Sequence, residues 1–372
     1  MFSLSLIYCT LILSAHAANP NPYLVEYPSF LNVLPEPFER PNIIANLFYQ
    51  TTLPIDAPPE YVAAYTQLHN ASFISFDPRF ATDVIGSAGP VEKVADLPQE
   101  SQEMPMYLKD EGVIFWSSDN NQFRTIDVKT DTSTHGGIWT LDYKTGNATM
   151  ILNNQLGLSI GADDMPTTEE AFSSPIHQAG FWLPTGRCNP PASLYYLHLS
   201  TMSLIDVDPT LVGPNGVVIS ADGTELYATD QGDNFNPPNN IMAQVLTLGK
   251  AGRTVYVNSA GPRTIYAYTL SPTTGLPTAR RTLAVADAGY FDGMKVTSSG
   301  LIFAAVYGGV DVYDRDGARL GKINIPSASP NGQLAQKHVV NLVFEENNLW
   351  CFAYGGIYRV RGLLVEGDPR LR

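Results

Sequence analysis

The chain has 372 residues and a formal net charge of −14 at pH 7, and its largest basic cluster is the pair Arg280-Arg281. Nucleic acid and anionic membranes are poor partners for such an acidic chain, so we exclude both from the expected function. After the first residues, no segment approaches the length that an apolar helix needs to cross a bilayer.

Residues 1–17 are predicted to be a secretory signal peptide. They hold an apolar run from Phe2 to Leu13 and end in the small-x-small site Ala15-His16-Ala17, and the run is too short to span a membrane. The alternative is that these residues are kept as a buried N-terminal strand. We therefore expect a protein of the secretory pathway or the extracellular space.

Two sequons and the cysteines are interpreted in that compartment. Asn70-Ala-Ser and Asn147-Ala-Thr are predicted glycosylation sites. Removal of the signal peptide takes Cys9 with it and leaves Cys188 and Cys351. In an oxidising compartment this pair has two alternatives, a Cys188–Cys351 disulfide or two buried free thiols.

Residues 18–70 form a predicted N-terminal extension that packs on the outside of the main domain. The extension is rich in proline and aromatic residues, and only the stretch PPEYVAAYTQLH has the pattern of a short helix. Strand-like patterns begin after it, first in SFISFDPRF and then in VEKVADL.

A polar residue followed by an apolar strand, a turn and a second apolar strand recurs four times. The four copies begin at Glu103, Asn215, Asp292 and Asn341. A β-hairpin repeated at intervals of several tens of residues, in a chain without convincing helices, is typical of a β-propeller. We therefore predict an all-β fold, a six-bladed β-propeller over residues 71–372. Its four polar strand starts should converge at one mouth of the central channel.

Two stretches interrupt the strand pattern. Residues 160–214 and 232–261 lack alternation and are long for connections, and loops of this length are usually functional or disordered. We expect both to lie over one rim, where they would form a lid if that rim carries the channel mouth.

With these residues, the chain resembles the gluconolactonase and senescence-marker-protein superfamily of six-bladed, calcium-dependent propellers. The resemblance covers roughly residues 70 to 362 and rests on FISFDPRF, QEMPMY, GPNGVVISADGTELYATD, PRTIYAYTL and FDGMKVTSSGLIFAAVYGG. It implies that Glu103, Asn215 and Asp292 hold a divalent ion, and two carboxylates with an amide oxygen suit Ca²⁺. The alternative is that Asn215 and Asp292 only satisfy turn backbone before a glycine.

The chain departs from that family in part of the lactone-binding shell. It has Gln102-Glu103-Met104-Pro105 where fungal lactonases of the family usually have His-Glu-Ala-Pro. The nearest equivalent of their Ser-Pro-Asn-Asp stretch is Gly161-Ala162-Asp163-Asp164. The propeller scaffold is therefore expected to persist while part of the substrate site differs, and a fold does not guarantee a function.

The chain also resembles the fungal propeller proteins that act as hetero-Diels–Alderases in tropolone sesquiterpenoid biosynthesis. The shared features are a signal-like segment, a degenerate second blade and an eroded metal site. The resemblance implies an enzyme that holds a tropolone quinone methide against a humulene-type alkene for cycloaddition. Such a reaction needs an aromatic pocket, hydrogen-bond donors and an acid–base group, and it requires no cofactor.

The candidate residues for those roles lie near the polar strand starts. The polar candidates are Asp292, Glu103, Asn215 and Asn341, with the histidines His177 and His338. The aromatic candidates are Tyr290, Phe291, Tyr307, Trp350 and Tyr354. The alternatives are that the aromatic rings are inter-blade packing and that the histidines are rim or loop residues.

The sequence therefore predicts a secondary-metabolism enzyme with an apolar small-molecule substrate, in the first place a hetero-Diels–Alderase-type cyclase. The second hypothesis is a Ca²⁺-dependent lactone hydrolase, in which the ion polarises the lactone carbonyl and Asp292 or Glu103 activates water. The third is a non-catalytic secreted binding propeller. Serine hydrolase, zincin, kinase and nicotinamide chemistries are poorly supported, because their motifs are missing from the sequence.

Overall fold

The computed structural model describes part of the chain. The described residues are 21–27, 57–68, 70–97, 102–109, 112–118, 122–131, 133–135, 138–142, 147–152, 154–155, 158–159, 171–174, 178–182, 194–198, 203–208, 210, 214–219, 226–230, 243–249, 252–259, 263–286, 290–325 and 339–368. From residue 133 to residue 206 the description covers the backbone alone. The predicted signal peptide, His177, Cys188 and His338 lie outside these ranges.

Strands dominate the described ranges. The elements are β1 (Leu24–Glu26), α1 (Pro59–Gln67), β2 (Phe73–Ser75), β3 (Glu92–Asp96), β4 (Gln102–Leu108), β5 (Val113–Ser118), β6 (Gln122–Asp127), β7 (Ser133–His135), β8 (Ile138–Asp142), β9 (Asn147–Leu152), β10 (Asn154–Gln155), β11 (Leu158–Ser159), β12 (Ala171–Ser174), β13 (Gln178–Trp182), β14 (Leu194–His198), β15 (Ser203–Asp208), β16 (Pro214–Ile219), β17 (Leu226–Asp230), β18 (Ala243–Leu248), β19 (Thr254–Ser259), β20 (Thr264–Leu270), β21 (Pro277–Val285), β22 (Met294–Val296), β23 (Ile302–Val306), β24 (Gly309–Tyr313), β25 (Arg319–Asn324), β26 (Val339–Glu345), β27 (Asn348–Ala353) and β28 (Gly356–Val360). A single π-helical turn spans Phe80–Ile85. Within these ranges, no helix is long and apolar enough to cross a membrane.

Helix α1 begins where two prolines stand together. Pro58 precedes the helix and Pro59 opens it, and the first helical position needs no backbone donor, so proline is favoured there. The helix ends at Gln67, after which the amide of Leu68 bonds back to the carbonyl of Tyr65. The short helix predicted in the N-terminal extension is confirmed.

The N-terminal extension also adds a strand to the outer edge of one sheet. Strand β1 pairs in parallel with β2, and β2 pairs antiparallel with β25. The result is a six-stranded sheet with the order β1-β2-β25-β24-β23-β22. Strand β1 of the extension therefore forms one edge of this sheet, and β22 forms the other edge.

The sheets follow one another along the chain and close into a ring. Consecutive strands form the sheets β4-β5-β6-β7, β12-β13-β14-β15 and β18-β19-β20-β21, and β3 joins β28 to complete the sheet β26-β27-β28-β3. The first strands touch in turn, because β4 contacts β26, β26 contacts β22, β22 contacts β18 and β18 contacts β16. This is the arrangement of a β-propeller, and the predicted all-β propeller class is confirmed.

The hydrophobic cores lie between neighbouring sheets. Successive side chains of a strand point to opposite faces, and in β27 both faces are buried. Cys351 faces a cluster that includes Phe303 of β23, whereas Trp350 and Phe352 face a cluster that includes Trp116 of β5. The sheet of β27 is thus held by the sheets on both of its sides.

Two sequence-based expectations are wrong. The stretches 160–214 and 232–261, predicted to be irregular, contain the sheet β12-β13-β14-β15 and the strands β18 and β19. Their strands are short and are separated by Gly-rich and Pro-rich connections, which dilute the alternation across any window of residues. The remaining parts of both stretches lie outside the described residues, so the lid stays a prediction.

The structure also decides between the two predicted states of Cys351, a disulfide and a buried free thiol. Cys351 is a free thiol with no exposed area, and burial raises the pKa of that thiol well above its usual range. The Cys188–Cys351 disulfide is therefore not formed in this structure. Of the two alternatives, the buried free thiol is correct for Cys351.

Candidate functional site

The short segment that precedes β22 is fixed between three sheets. The amide of Asp292 donates to the carbonyl of Ala305 over 3.0 Å, and the amide of Gly293 donates to the carbonyl of Val340 over 2.7 Å. From the other side, Asn258 Nδ2 of β19 donates to the carbonyl oxygen of Asp292. The half-buried Asp292 carboxylate therefore stands on a backbone that cannot shift without breaking these bonds.

Asn341 packs directly against that segment and holds a second carboxylate. Its Nδ2 donates to Glu103 Oε2 over 3.1 Å, and its Oδ1 accepts from the amide of Leu342. A Cβ on Gly293 would collide with the Asn341 side chain and lie 2.8 Å from the Asn341 Cα. The glycine after Asp292 is thus required by the close approach of Asn341, which brings β4, β26 and the start of β22 together.

Tyr290, two residues before Asp292, packs against Tyr307. Its ring centroid is 5.7 Å from that of Tyr307, with the planes tilted by 58°. Burial raises the pKa of Tyr290 far above its usual range, and the charge of Asp292, the phenols of Tyr307 and Tyr354, and the charge of Glu103 add to the shift. Burial and these neighbours therefore disfavour ionisation of the Tyr290 phenol.

Tyr307 and Tyr354 occupy equivalent turns of neighbouring sheets. Each stands between two strands of a hairpin and is followed by two glycines, and Gly308 and Gly355 have φ angles of 75° and 80°. Glycine adopts this left-handed conformation without strain. Burial, and then the charge of Asp292, raise the pKa of Tyr307 as well.

Asn215 lies further round the ring than the other predicted site residues. It stands half-buried at the start of β16, where the amide of Gly216 donates to Thr229 Oγ1 over 2.8 Å. Strand β18 contacts both β16 and β22, so one complete sheet separates the sheet of Asn215 from that of Asp292. The predicted role of Asn215 as an ion ligand stays a prediction.

Two aromatic candidates are not pocket residues in this structure. Trp350 has no exposed area, its Nε1 donates to Glu345 Oε2 over 2.8 Å, and the guanidinium of Arg359 stacks on its ring at 4.6 Å. Phe291 is fully buried and meets Tyr313 edge-on at 6.0 Å. The predicted contact of Trp350 with substrate is therefore wrong. Successive side chains of β27 point to opposite faces of the sheet, and the Trp350 side chain points into a core between two sheets.

The remaining predicted residues are dispersed. Asn70 is exposed just after α1, and Asn147 is the first residue of β9. His177 and His338 lie outside the described residues, so their predicted roles stay predictions. Asn258 was not singled out from the sequence, where the stretch TVYVNS gives no sign that its asparagine reaches another sheet.

The donor set is suited to a hard cation. Glu103 and Asp292 supply carboxylate oxygens, and Ca²⁺ prefers oxygen ligands of this kind. Across the described ranges, no group of three or more His, Cys, Asp or Glu side chains is arranged to hold a metal ion. Any ion at this site would therefore need amide, backbone or water oxygens beside the two carboxylates.

Together, fold and site define a β-propeller that brings two carboxylates and three tyrosines to one end of its first strands. Residues 233–332 match the family model described as SMP-30/Gluconolactonase/LRE-like region, and the resemblance to that superfamily is confirmed. The matched range contains Tyr290, Asp292 and Tyr307, while Glu103 and Asn341 lie on either side of it.

Two curated relatives come from Aspergillus oryzae. Lactonohydrolase oryL is 27% identical over 234 residues, which cover 60% of this chain and 50% of that protein. Lactonohydrolase oryH is 23% identical over 401 aligned positions, with 80% of this chain and 82% of that protein covered. The alignment with oryL thus spans only half of that relative. A solved structure of a gluconolactonase from Xanthomonas campestris has a TM-score of 0.45 and 16% identity, with 77% of this chain and 92% of that chain covered.

Proposed function

We propose that the protein is a Ca²⁺-dependent lactone hydrolase that acts at the end of the propeller where Asn341 connects Glu103 with the segment of Asp292. The observation that carries the proposal is that Asn341 donates to Glu103 Oε2 over 3.1 Å and packs against Gly293, the residue after Asp292. The names of the two lactonohydrolase relatives support the reaction class. The family match, which includes Asp292, supports the choice of site.

Opening a lactone requires a base for the attacking water and a proton for the ring oxygen that leaves. In our proposal Asp292 takes a proton from water while the water oxygen bonds to the carbonyl carbon. The Tyr290 phenol, whose ionisation burial disfavours further, donates a hydrogen bond in this proposal to the oxygen on which negative charge develops. The ring C–O bond then breaks, and the proton held by Asp292 passes to the departing oxygen to give a hydroxy acid.

The residues proposed to hold the ion are Glu103, Asp292 and Asn215. A bound Ca²⁺ would polarise the lactone carbonyl as a Lewis acid. Asn341 serves this arrangement by donating to Glu103, which keeps one carboxylate oxygen in a fixed position. Tyr307 forms one wall beside Tyr290 and excludes water from that side of the reacting bond.

The test is hydrolysis of a panel of small lactones in a pH-stat, with calcium measured by elemental analysis on the same preparation. We expect turnover in the wild type and the loss of at least two orders of magnitude in Asp292→Asn, because removal of a general base costs on the order of 10²–10⁴-fold. The matched control is Asp316→Asn, because the Asp316 side chain is 81% exposed in a turn. Equal turnover in the two variants would reject the assignment of Asp292.

A second candidate function is the hetero-Diels–Alderase-type cyclase. The tilted pair of Tyr290 and Tyr307 favours it, because two phenols beside a carboxylate supply an aromatic wall, hydrogen-bond donors and an acid–base group together. The experiment offers the protein a tropolone quinone-methide precursor with humulenol, in the presence and absence of EDTA. If the protein accelerates cycloadduct formation equally with and without EDTA, the result would support the cyclase. If the rate with protein equals the rate without protein, the result would reject the cyclase.

Secretion is proposed together with this function. The apolar run of residues 1–17 and the exposed sequon at Asn70 lead us to expect a glycosylated protein in the medium of a fungal host. Digestion with an N-glycosidase should increase the gel mobility of the wild type. It should change the mobility of Asn70→Gln by a smaller step, and a mobility unchanged by digestion in the wild type would reject glycosylation.

A further inference from the structure

Lys322 is a buried lysine that reaches the candidate site through the backbone of Tyr307. Its Nζ donates to Asp311 Oδ1 over 3.1 Å and to the carbonyl oxygen of Tyr307 over 3.2 Å. The side chains of Lys322 and Asp311 are 2% and 0% exposed. A charge this deeply buried is strongly unfavourable unless its hydrogen-bonding groups are satisfied, so the position of its partners is constrained.

The turn that carries Tyr307 is enclosed on its other side as well. Asp311 and Lys322 are direct cross-strand partners on β24 and β25, and Ile74 of β2 pairs with Lys322 from the outer side. Gly309 has a φ of 146°, and a Cβ there would collide with the carbonyl of Ile323. The turn between β23 and β24 therefore lies against β25 with no space for movement in that direction.

The charges around Lys322 explain why its ammonium group needs the carbonyl of Tyr307 as an acceptor. Asp311 also accepts from Arg319 Nη2 over 2.9 Å and from the hydroxyl of Tyr313 over 3.2 Å. Two cations thus share one carboxylate, and the carbonyl of Tyr307 gives Lys322 a further acceptor at the buried end of the pair. A neutral apolar residue at position 322 would leave that carbonyl without this donor.

We infer that Lys322 is a positioning residue, which holds the Tyr307 turn so that the Tyr307 ring stays against Tyr290 and close to Asp292. The inference concerns the tyrosine site on which the proposed function rests, but it does not depend on the reaction. Displacement of the Tyr307 turn would change the environment of both rings whether or not the protein hydrolyses lactones.

The test labels the full-length protein with 3-fluorotyrosine and records ¹⁹F NMR spectra. Signals are assigned with Tyr307→Phe and Tyr290→Phe. In Lys322→Met, which keeps an unbranched side chain one atom shorter and removes the charge and the donor, we expect the signals of Tyr307 and Tyr290 to shift by more than their linewidth. If Lys322→Met does not fold, Lys322→Gln gives the same comparison, because its amide is too short to reach both acceptor oxygens.

The matched control is Arg359→Met, which removes a buried cation from a different sheet. Arg359 bonds to Asp131 and Glu92, so its loss destabilises the protein without touching the Tyr307 turn. Shifted signals in the Lys322 variant and unchanged signals in the Arg359 variant support the inference. Unchanged signals in a folded Lys322 variant, or equal shifts in both variants, overturn it.

Enzyme assays add a second readout that separates this inference from the proposed function. If the wild type hydrolyses lactones, Lys322→Met should lower kcat/KM on the order of ten- to a hundredfold, as expected when a group that contacts substrate is misplaced. A wild type with no lactone turnover rejects the proposed function and leaves the ¹⁹F comparison intact. Shifted signals with unchanged kcat/KM in an active enzyme would overturn the functional role of Lys322.

Discussion

Asn341 Nδ2 donates a hydrogen bond of 3.1 Å to Glu103 Oε2, although 238 positions separate the two residues in the chain. The bond joins the first strands of two neighbouring sheets, β26 and β4. Because Asn341 Oδ1 also accepts from the Leu342 amide, both ends of the side-chain amide are engaged and its orientation is defined. The carboxylate of Glu103 is thereby fixed at the end of the propeller that carries Asp292.

Substitution Asn341→Ala should weaken both the fold and the site. The change leaves the half-buried Glu103 carboxylate without this donor, which should lower the free energy of unfolding by about 1–3 kcal/mol in urea denaturation. Asn348→Ala is the control, because Asn348 also donates to a carboxylate, that of Glu345, but lies on the far side of the same hairpin. Lactone kcat/KM should fall only in Asn341→Ala, and an equal fall in both variants would contradict the role of the Asn341–Glu103 bond.

Gly293→Ala should be destabilising because there is no space for a methyl group. The added Cβ would collide with the Asn341 amide, and overpacking of this kind costs about 1–3 kcal/mol. Gly89→Ala is the matched control, since a Cβ at Gly89 would have no neighbour within 4 Å. Thermal unfolding should distinguish the two variants by several degrees, and equal midpoints would show that the segment around Asp292 yields to the methyl group.

Arg359→Met should destabilise the closure of the ring. Arg359 donates to both carboxylate oxygens of Asp131 at 2.7 and 3.1 Å and to Glu92 at 3.3 Å, with its own side chain only 4% exposed. We expect a loss of about 1–3 kcal/mol, because the two carboxylates are partly exposed and regain water. Arg361→Met, which removes an exposed donor to the same Glu92, should change the free energy of unfolding by less than about 0.5 kcal/mol. The prediction is wrong if urea denaturation gives equal losses.

Asp311 should make the stability of the protein depend on pH in the acid range. Burial raises the pKa of Asp311, but the charges and the hydrogen bonds of Arg319 and Lys322 together lower it by more, so the folded-state pKa lies below its usual value. Such a carboxylate stabilises the fold above the unfolded-state pKa of about 3.9, and the contribution is lost as the pH falls through the folded-state pKa.

Urea denaturation between about pH 3 and pH 7 tests this sign. Asp311→Asn should be less stable than the wild type at neutral pH, and the difference should narrow below about pH 4. The exposed Asp316→Asn should follow the wild type throughout. A difference between Asp311→Asn and the wild type that stays constant over the whole range would contradict the lowered pKa of Asp311.

The hairpins could be predicted from the sequence because their signals are local. The strand pairs that follow Glu103, Asn215, Asp292 and Asn341 all form, since each has alternating apolar residues around a turn within a few positions. The tyrosines of the site also have a local signal. Tyr307 and Tyr354 each precede two glycines, and this repeated Tyr-Gly-Gly marks equivalent turns.

The contacts between hairpins could not be predicted in the same way. Asn258 donates to the carbonyl of Asp292 only because the sheet of β18 lies beside β22. The sequence of a motif does not indicate which sheets will be its neighbours. Trp350 was misassigned for a related reason. Trp350 is close to Asn341 along the chain. Alternate side chains of β27 point to opposite faces of the sheet, however, and this alternation places Trp350 in one of the two cores.

The ring is completed by strands from opposite ends of the chain. Strand β3 pairs with β28, and β2, which already pairs with β1, also pairs with β25, so each early strand gains this late partner only after the long intervening chain has been synthesised. Contacts between residues so distant in sequence slow folding, because a long loop must close before the pairing contributes any stability. Until then strand β3 and the edge of β2 that faces β25 stay unpaired, and unpaired edges are prone to aggregation. We therefore expect folding to be rate-limited after release of the chain, and expression to benefit from chaperones that bind extended segments.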